Sequence, residues 1–306
     1  MTKEVIKGRR IESPSSVNTF LQCKRKYYYR YIAKLPTKSN IAQIRGKAVH
    51  SVLENFFTIE ISDIKGTEFY DYFRLKLIEL FNKHWVIALG ELMKLDLPKT
   101  TIKEHYISSL DMLNNFLYRF CERLDKDMKT LTLQEAFSRW KPEAEIKYYS
   151  EKYQVLGFVD AVREIDGEVS LWDYKTSRQD KISDEYYLQL GIYALMYYEK
   201  HGRYPDKVGV DFLLHGERVL PVDDKIINNA KEQLIKIHTS VVSNEFKDYP
   251  QTIGPLCKWG TGQCEYYEEC FGQKKLSSYG IGSPASSEGR IDDTIKKKDL
   301  FGIRVN

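Results

Sequence analysis

The spacing of apolar residues predicts that the first part of the chain is largely helical. Five apolar residues recur at three- and four-residue intervals, which places them on one face of an α-helix. They are Leu110, Leu113, Phe116, Leu117 and Phe120. An earlier helix is expected to begin near Ser13 and Pro14, because serine caps helices and proline is favoured in the first turn. The expected helical segments are 13–35, 45–59, 68–95 and 101–128.

The pattern changes near residue 140, where short segments rich in Val, Ile and Tyr predict β-strands. Asp166-Gly167 is typical of a hairpin turn between two of these strands. A helical segment then separates the third strand from a buried fourth strand, so these two strands are expected to be parallel neighbours. The expected strands are 143–149, 153–165, 168–174 and 207–214, and the expected helices are 183–200 and 223–242.

This order of elements predicts an α/β fold, with a mixed sheet flanked by helices and a large helical part before it. Residues 1–135 are expected to form the helical part and residues 136–250 the sheet-containing core. Residues 251–275 form a cysteine-rich segment. Residues 276–306 are rich in Ser and Gly at their start, and we interpret them as a flexible tail.

The overall composition is ordinary. Hydrophobic residues make up 42% of the chain and charged residues 29%, proportions typical of a soluble globular protein. No run of about 18 apolar residues is present, so no membrane span is expected. The first residues, MTKEVIKGRRIE, lack the apolar stretch of a signal peptide, and we expect a cytoplasmic protein. The net charge of +4 permits a nucleic-acid partner without requiring one.

Two aspartates and a lysine stand near the ends of adjacent predicted strands. Asp160 is the last residue of the sequence Gly157-Phe158-Val159-Asp160, and Asp173 precedes Lys175 by two positions. Residues two apart in a strand point to the same side of the sheet, and the 166–167 turn can bring Asp160 close to them. Carboxylates bind hard cations such as Mg²⁺, and a nearby lysine can orient or deprotonate water or stabilise a pentacovalent phosphate. Taken alone, such a pattern is more often an exposed ion pair.

Five motifs in order along the chain together resemble the PD-(D/E)XK nuclease superfamily, in particular its RecB-like and Cas4-like exonuclease branch. The motifs are Arg45-Gly46-Lys47-Ala48-Val49-His50 with Leu53-Glu54, Glu145 on the first strand, Gly157 to Asp160, Asp173-Tyr174-Lys175-Thr176, and Gln189 to Tyr193. The resemblance covers residues 13–272 and implies a restriction-endonuclease-like core. The long helical segment at about 60–130 is large for a compact Cas4-like protein, which favours the broader RecB-like assignment.

The resemblance implies a metal site. His50, Asp160 and Asp173 would bind Mg²⁺ or Mn²⁺, with the carbonyl oxygen of Tyr174 as a further ligand. A lone histidine on a helix is more often structural, and only its place in the motif favours a metal ligand.

The resemblance also implies catalytic roles beside the metal. Lys175 would act on the water and the scissile phosphate. Gln189 and Tyr193 would line the site, and contact DNA or orient the lysine. Glu145 is a further candidate catalytic residue, although a solvated strand glutamate is an equally good interpretation.

The five cysteines are unevenly distributed. An odd number without a secretion signal argues against a disulfide framework. Cys257, Cys264 and Cys270 lie close together, and four thiolates can hold a [4Fe–4S] cluster or a zinc ion. The resemblance implies that Cys23 joins these three in binding a [4Fe–4S] cluster that fixes the two ends of the chain together; Zn²⁺ is the alternative. Cys121, on an apolar helical face, is predicted to be a buried thiol.

The expected function is hydrolysis of phosphodiester bonds in DNA by a Mg²⁺- or Mn²⁺-dependent exonuclease acting on single strands or duplex ends. Repair, recombination, CRISPR spacer processing and viral DNA metabolism all remain open as its task. No phosphate-loop motif is present, so duplex unwinding would need a separate helicase partner. The alternative is a catalytically silent DNA-binding or assembly subunit with the same fold. The intact set of Asp160, Asp173 and Lys175 argues against it.

Overall fold

A five-stranded mixed sheet lies at the centre of the computed structural model, which describes residues 9–37, 39–64, 68–260 and 262–272. The strands of this sheet are β1 (Glu143–Ser150), β2 (Val155–Ile165), β3 (Glu168–Lys175), β4 (Lys207–Phe212) and β5 (Gly216–Pro221), and β6 (Lys258–Trp259) and β7 (Gly262–Gln263) form a separate short hairpin. The helices are α1 (Pro14–Gln22), α2 (Lys24–Tyr27), α3 (Ile41–Phe56), α4 (Phe69–Leu92), α5 (Lys99–Asp127), α6 (Leu133–Trp140), α7 (Asp184–His201), α8 (Asp224–Ser240) and α9 (Tyr267–Phe271). The predicted tail, 276–306, lies outside the described residues.

The sheet has the strand order β1-β2-β3-β4-β5. β3 and β4 are parallel and are joined through α7, whereas the other neighbouring pairs are antiparallel. The predicted mixed sheet flanked by helices and the parallel crossover are thereby confirmed. β5 was not predicted. Its sequence, GERVLP, is an edge strand with mostly exposed or half-exposed residues, so it lacks the alternation of buried positions that identifies a strand.

The turn between β2 and β3 has the conformation that its sequence predicts. Asp166 has a φ of +54° and Gly167 a φ of +82°, the left-handed conformations that a tight hairpin turn requires. This turn fixes the antiparallel register in which Ala161 lies opposite Trp172. The register decides which residues of the two strands meet at the far end of the hairpin.

Two hydrophobic cores lie against the sheet. One joins α1, α7 and α8 to residues such as Val159 and Leu171. The other joins α3, α4, α5 and α6 to Ala161, Trp172 and Tyr174. The helical part therefore packs directly on the sheet strands that carry the candidate site. Among the described residues, no helix combines the length and apolar character needed to cross a bilayer.

Partly buried ion pairs also hold α5 against β4 and β5. Arg119 on α5 lies 2.5 Å from Asp211, and Arg123 lies 2.6 Å from Glu217. Glu217 also pairs with Arg163 of β2 at 3.0 Å. Breaking a pair of this kind by removing one partner leaves an uncompensated buried charge. These contacts fix the register of the helical part on the sheet.

The predicted N-terminal helix is interrupted. Ser13 and Ser16 form a capping box that begins α1, as expected. The helix ends at Gln22, because Cys23 adopts an extended conformation with φ −161° and ψ 115°. α2 begins directly after it and continues into a π-helical turn at Tyr28–Ile32. The interruption sets Cys23 at a junction between two helices.

Candidate active site

Asp160 and Asp173 occupy the position where β2 and β3 separate. The last backbone pair of the two strands is Ala161 with Trp172, and the next residues are these two aspartates. Instead of continuing the ladder, the backbone N–H of Tyr174 donates a hydrogen bond to Oδ2 of Asp160 at 2.7 Å. The separation of the strands opens room for side chains at the centre of the sheet.

Three predicted site residues from three elements converge here. The nearest donor atoms of His50 on α3, Glu145 on β1 and Asp160 on β2 all lie within 4.8 Å of one another. Nδ1 of His50 lies 3.4 Å from Oδ1 of Asp160. Imidazole nitrogen and carboxylate oxygen are suitable ligands for a divalent cation. Among the residues that the structure describes, this is the one set of three or more such side chains with so close a spacing.

The backbone of Glu145 is unusual for a strand residue. Its φ is +52°, a conformation that costs a non-glycine residue about 1–2 kcal/mol. Its neighbours Ala144 and Ile146 pair with Ala161 and Val159 on either side of it, so Glu145 stands opposite Asp160. The strained conformation places the carboxylate in the cluster with His50. Its position therefore argues against a solvated surface glutamate.

Asp173 and Lys175 form the second half of the site. Nζ of Lys175 lies 2.6 Å from Oδ2 of Asp173. Gln189 of α7 bridges them, since its Nε2 donates to Oδ1 of Asp173 at 2.7 Å and its Oε1 accepts from Lys175 at 3.2 Å. The same Nε2 lies 2.7 Å from the hydroxyl oxygen of Tyr193, which itself donates to Asp173 at 3.4 Å. This network holds both charged side chains in fixed positions.

Close packing of α7 on the sheet brings Gln189 and Tyr193 into range. A Cβ atom at Gly157 of β2 would lie 2.9 Å from Cε of Met196 and 3.3 Å from Cε1 of Tyr193. A larger residue would force the side chain of Met196 to move and would crowd the ring of Tyr193. The glycine in the predicted Gly157 to Asp160 motif therefore has a packing reason.

The electrostatics of the site favour a cation. Burial raises the pKa of Asp173, and Lys175 opposes that shift. Burial also raises the pKa of Glu145, with the Asp160 charge adding to the effect. Burial disfavours protonated His50, but the Asp160 carboxylate outweighs this and raises the pKa of the imidazole. The site thus holds three carboxylates but only one lysine and one histidine to balance their charge. A divalent cation would neutralise the excess negative charge.

Arg45 lies inside the histidine motif but had no predicted role. This side chain is 8% exposed, and its Nη2 donates to the carbonyl oxygen of Thr176 at 2.6 Å. Its Nη1 lies 3.2 Å from Nδ1 of His105. A Cβ atom on the adjacent Gly46 would lie 3.4 Å from Oγ1 of Thr176. Arg45 therefore ties α3, which carries His50, to the end of β3. The only feature of the sequence that could have indicated this role is the position of the arginine in the R-G-x-x-x-H segment, five residues before His50.

Apart from the acidic site, four cysteines line a small cavity. Cys23 at the α1–α2 junction and Cys257, Cys264 and Cys270 from the C-terminal segment surround it, together with Tyr266. Cys121, in contrast, is buried in the helical core as predicted, and burial raises the pKa of its thiol to about 12.

The surroundings of this cavity bear on its chemistry. The backbone N–H of Thr252 points to Sγ of Cys23 at 3.4 Å. Burial and the neighbouring thiols of Cys23 and Cys264 raise the pKa of Cys270 to about 11. Clustered buried thiols disfavour thiolate formation in one another, and a bound metal would reverse that effect.

The sheet topology and the clustered acidic site are those of a nuclease with a restriction-endonuclease-like fold. A family model of the PD-(D/E)XK nuclease superfamily matches residues 12–270, and the chain belongs to this superfamily. Nucleases of this superfamily use divalent metal ions, so the match and the acidic site together support a nuclease.

Two similar proteins carry exonuclease names. The CRISPR-associated exonuclease Cas4 of Francisella tularensis subsp. novicida (strain U112) is 28% identical over 156 residues, which are 49% of this chain and 75% of the relative. A crystal structure of a candidate exonuclease from Eubacterium rectale aligns with a TM-score of 0.49 and 12% identity over 91% of each chain.

Proposed function

We propose that the chain is a Mg²⁺- or Mn²⁺-dependent deoxyribonuclease that acts as an exonuclease on single strands or duplex ends. The observation that carries this proposal is the convergence of His50, Glu145 and Asp160 beside the Asp173–Lys175 pair. A binding-only protein has no need for a strained glutamate and a buried aspartate–lysine pair at one point. The superfamily match and the exonuclease name of the Francisella relative also support it.

The donor set fits a divalent cation. His50, Asp160 and Asp173 would hold it, with the carbonyl oxygen of Tyr174 as a further ligand and the carboxylate of Glu145 close beside them. The cation would supply Lewis-acid stabilisation of the charge that builds on the scissile phosphate and would make water a better nucleophile.

The remaining residues act on the water and the phosphate. The ammonium group of Lys175 would orient the attacking water and donate to a phosphate oxygen as negative charge develops there. Gln189 would act as a positioning residue, because it contacts both Lys175 and Asp173. Tyr193 would support Gln189 from the same helix. Proton transfer from the water would need a base, and Glu145 is the candidate beside the metal set.

The four-cysteine cavity supports a structural [4Fe–4S] cluster held by Cys23, Cys257, Cys264 and Cys270. Zn²⁺ bound by the same four thiolates is the alternative. The cluster would fix the α1–α2 junction against the C-terminal segment.

The physiological role we propose is DNA end processing. The Francisella relative is named as a CRISPR-associated exonuclease, which makes spacer processing one candidate, beside repair, recombination and viral DNA metabolism. A separate helicase or recombination partner would supply any unwinding.

Product analysis tests the proposal. Single-stranded, duplex and circular DNA, labelled at the 5′ or the 3′ end, would be incubated with Mg²⁺, Mn²⁺ or EDTA. We expect metal-dependent release of labelled products from linear substrates and resistance of circular DNA. Asp173→Asn should abolish hydrolysis, whereas Asp180→Asn, at an exposed position, should not. Equal activity of wild type and Asp173→Asn would refute the assignment. Metal-independent DNA binding without hydrolysis would favour the silent DNA-binding alternative.

A further inference from the structure

Two exposed aromatic side chains lie on the sheet strands that carry the candidate metal site. Phe158 of β2 is 49% exposed and Tyr149 of β1 is 41% exposed. Phe158 precedes Asp160 by two positions, so their Cα atoms are about 7 Å apart. Contiguous exposed apolar patches often mark binding sites.

The burial pattern shows that these rings share one face. Tyr148, Gly157 and Val159 are buried in the core beneath α7. The residues that alternate with them point to the opposite side of the sheet, as strand geometry requires. That side exposes Lys147 and Phe158 and leaves Leu156 half-buried.

Strand register arranges these residues as two cross-strand pairs. Lys147 lies opposite Phe158, and Tyr149 lies opposite Leu156. Directly opposed side chains in an antiparallel pair have Cβ atoms about 5 Å apart. The hydroxyl of Tyr149 accepts a hydrogen bond from Nε2 of Gln154 at 3.0 Å, which restrains the ring. β1 is also an edge strand, so no further strand of the described sheet borders this surface.

We propose that Lys147, Tyr149, Leu156 and Phe158 form a stacking platform for unpaired bases of the DNA strand that enters the active site. The proposal rests on the nuclease function proposed above and names its substrate as a single-stranded segment. Aromatic rings stack on any base, and a lysine beside them attracts the phosphate backbone. The platform begins beside Asp160 and extends away from it. A strand lying on it would therefore continue directly to the metal site.

Binding measurements without hydrolysis test the platform. The full chain would be titrated into fluorescein-labelled oligothymidylate in EDTA, with fluorescence anisotropy as the readout. Phe158→Ala should raise Kd by about fivefold or more, the usual effect of losing one base–aromatic stack. Phe158→Trp should keep Kd near the wild-type value. Lys147→Gln should reduce the slope of log Kd against log salt by about 0.7.

The matched control is Tyr118→Ala. Tyr118 is 57% exposed and lies on α5, outside the platform, so its removal should leave Kd unchanged. Tyr149→Ala provides a second variant at an exposed position, and circular dichroism would establish that each variant is folded.

The results separate this proposal from the nuclease assignment. If Phe158→Ala and Tyr149→Ala both bind single strands as tightly as wild type, the platform is wrong even though hydrolysis continues. Equal weakening of blunt duplex binding would also overturn it, because paired bases present no free faces. A change in self-association in place of DNA affinity would identify a protein contact and overturn it as well. Weakened single-strand binding in a protein that hydrolyses no DNA would support the platform and refute the nuclease function.

Discussion

Nδ1 of His50 on α3 lies 3.4 Å from Oδ1 of Asp160 on β2. Through this contact the helical part of the chain contributes a side chain to a site built on the sheet. The hydrogen bonds of Arg45 to Thr176 and the ion pairs between α5 and the sheet hold the two parts in register. The contact between His50 and Asp160 thus depends on how the helical part packs against the sheet.

The position of His50 predicts its effect on metal binding. His50→Ala should raise the Kd for Mn²⁺ by about tenfold or more, since even side chains that only support a ligand change affinity by about 10–100-fold. Isothermal titration calorimetry of the purified protein measures this directly. His84→Ala on α4 is the control, because His84 lies outside the set of converging ligands. An unchanged Mn²⁺ affinity in His50→Ala would remove His50 from the metal site.

Lys175 should contribute to catalysis more than to metal binding. Lys175→Met keeps most of the apolar stem but removes the ammonium group 2.6 Å from Asp173. We expect kcat on linear DNA to fall by about 10²–10³-fold, the usual effect of losing one group that stabilises transition-state charge. The Mn²⁺ affinity should fall far less.

The matched control for Lys175 is a partly exposed lysine on the neighbouring strand. Lys207→Met on β4 removes a surface ion pair with Glu168 and should leave kcat near wild type. A parallel loss of kcat and Mn²⁺ affinity in Lys175→Met would instead assign the lysine to the integrity of the metal site.

Much of this site follows from the sequence, because its residues lie in short motifs on regular elements. Asp160, Asp173 and Lys175 meet as predicted, since a hairpin and strand alternation fix their geometry. The left-handed backbone of Glu145 has no local signature, so its orientation toward His50 needed the structure. The role of Arg45 depends on a contact with Thr176 far along the chain, which spacing alone does not reveal.

From the four-cysteine cavity we predict that the protein binds iron. Cys264→Ala should lose most of the iron found in wild-type protein purified without oxygen, because one of four thiolate ligands is removed. Iron analysis and visible absorption spectra measure the loss. Cys121→Ala should keep the full iron content, since Cys121 lies in the helical core and not at the cavity. Wild-type protein that contains zinc in place of iron would favour the alternative metal.

A buried histidine far from the metal site predicts an acid-dependent loss of stability. His238 is 2% exposed, and its Nε2 lies 2.8 Å from the carbonyl oxygen of Tyr153. Burial lowers the pKa of His238, and the hydrogen bond to Tyr153 only partly opposes this. Because the folded-state pKa is below the unfolded value of about 6.5, the unfolded chain takes up the proton first. The stability that the neutral ring contributes is therefore complete above about pH 6.5 and is lost as the pH falls toward the folded-state pKa.

His238→Gln should reduce this dependence, because glutamine can donate to the same carbonyl oxygen without titrating. We expect the fall in Tm between about pH 7 and pH 5.5 to be smaller in His238→Gln than in wild type. Differential scanning fluorimetry across this range provides the measurement. His215→Gln, at an exposed position, should show the wild-type slope. Identical slopes of Tm against pH in wild type and His238→Gln would contradict this prediction. Groups other than His238 would then govern acid unfolding.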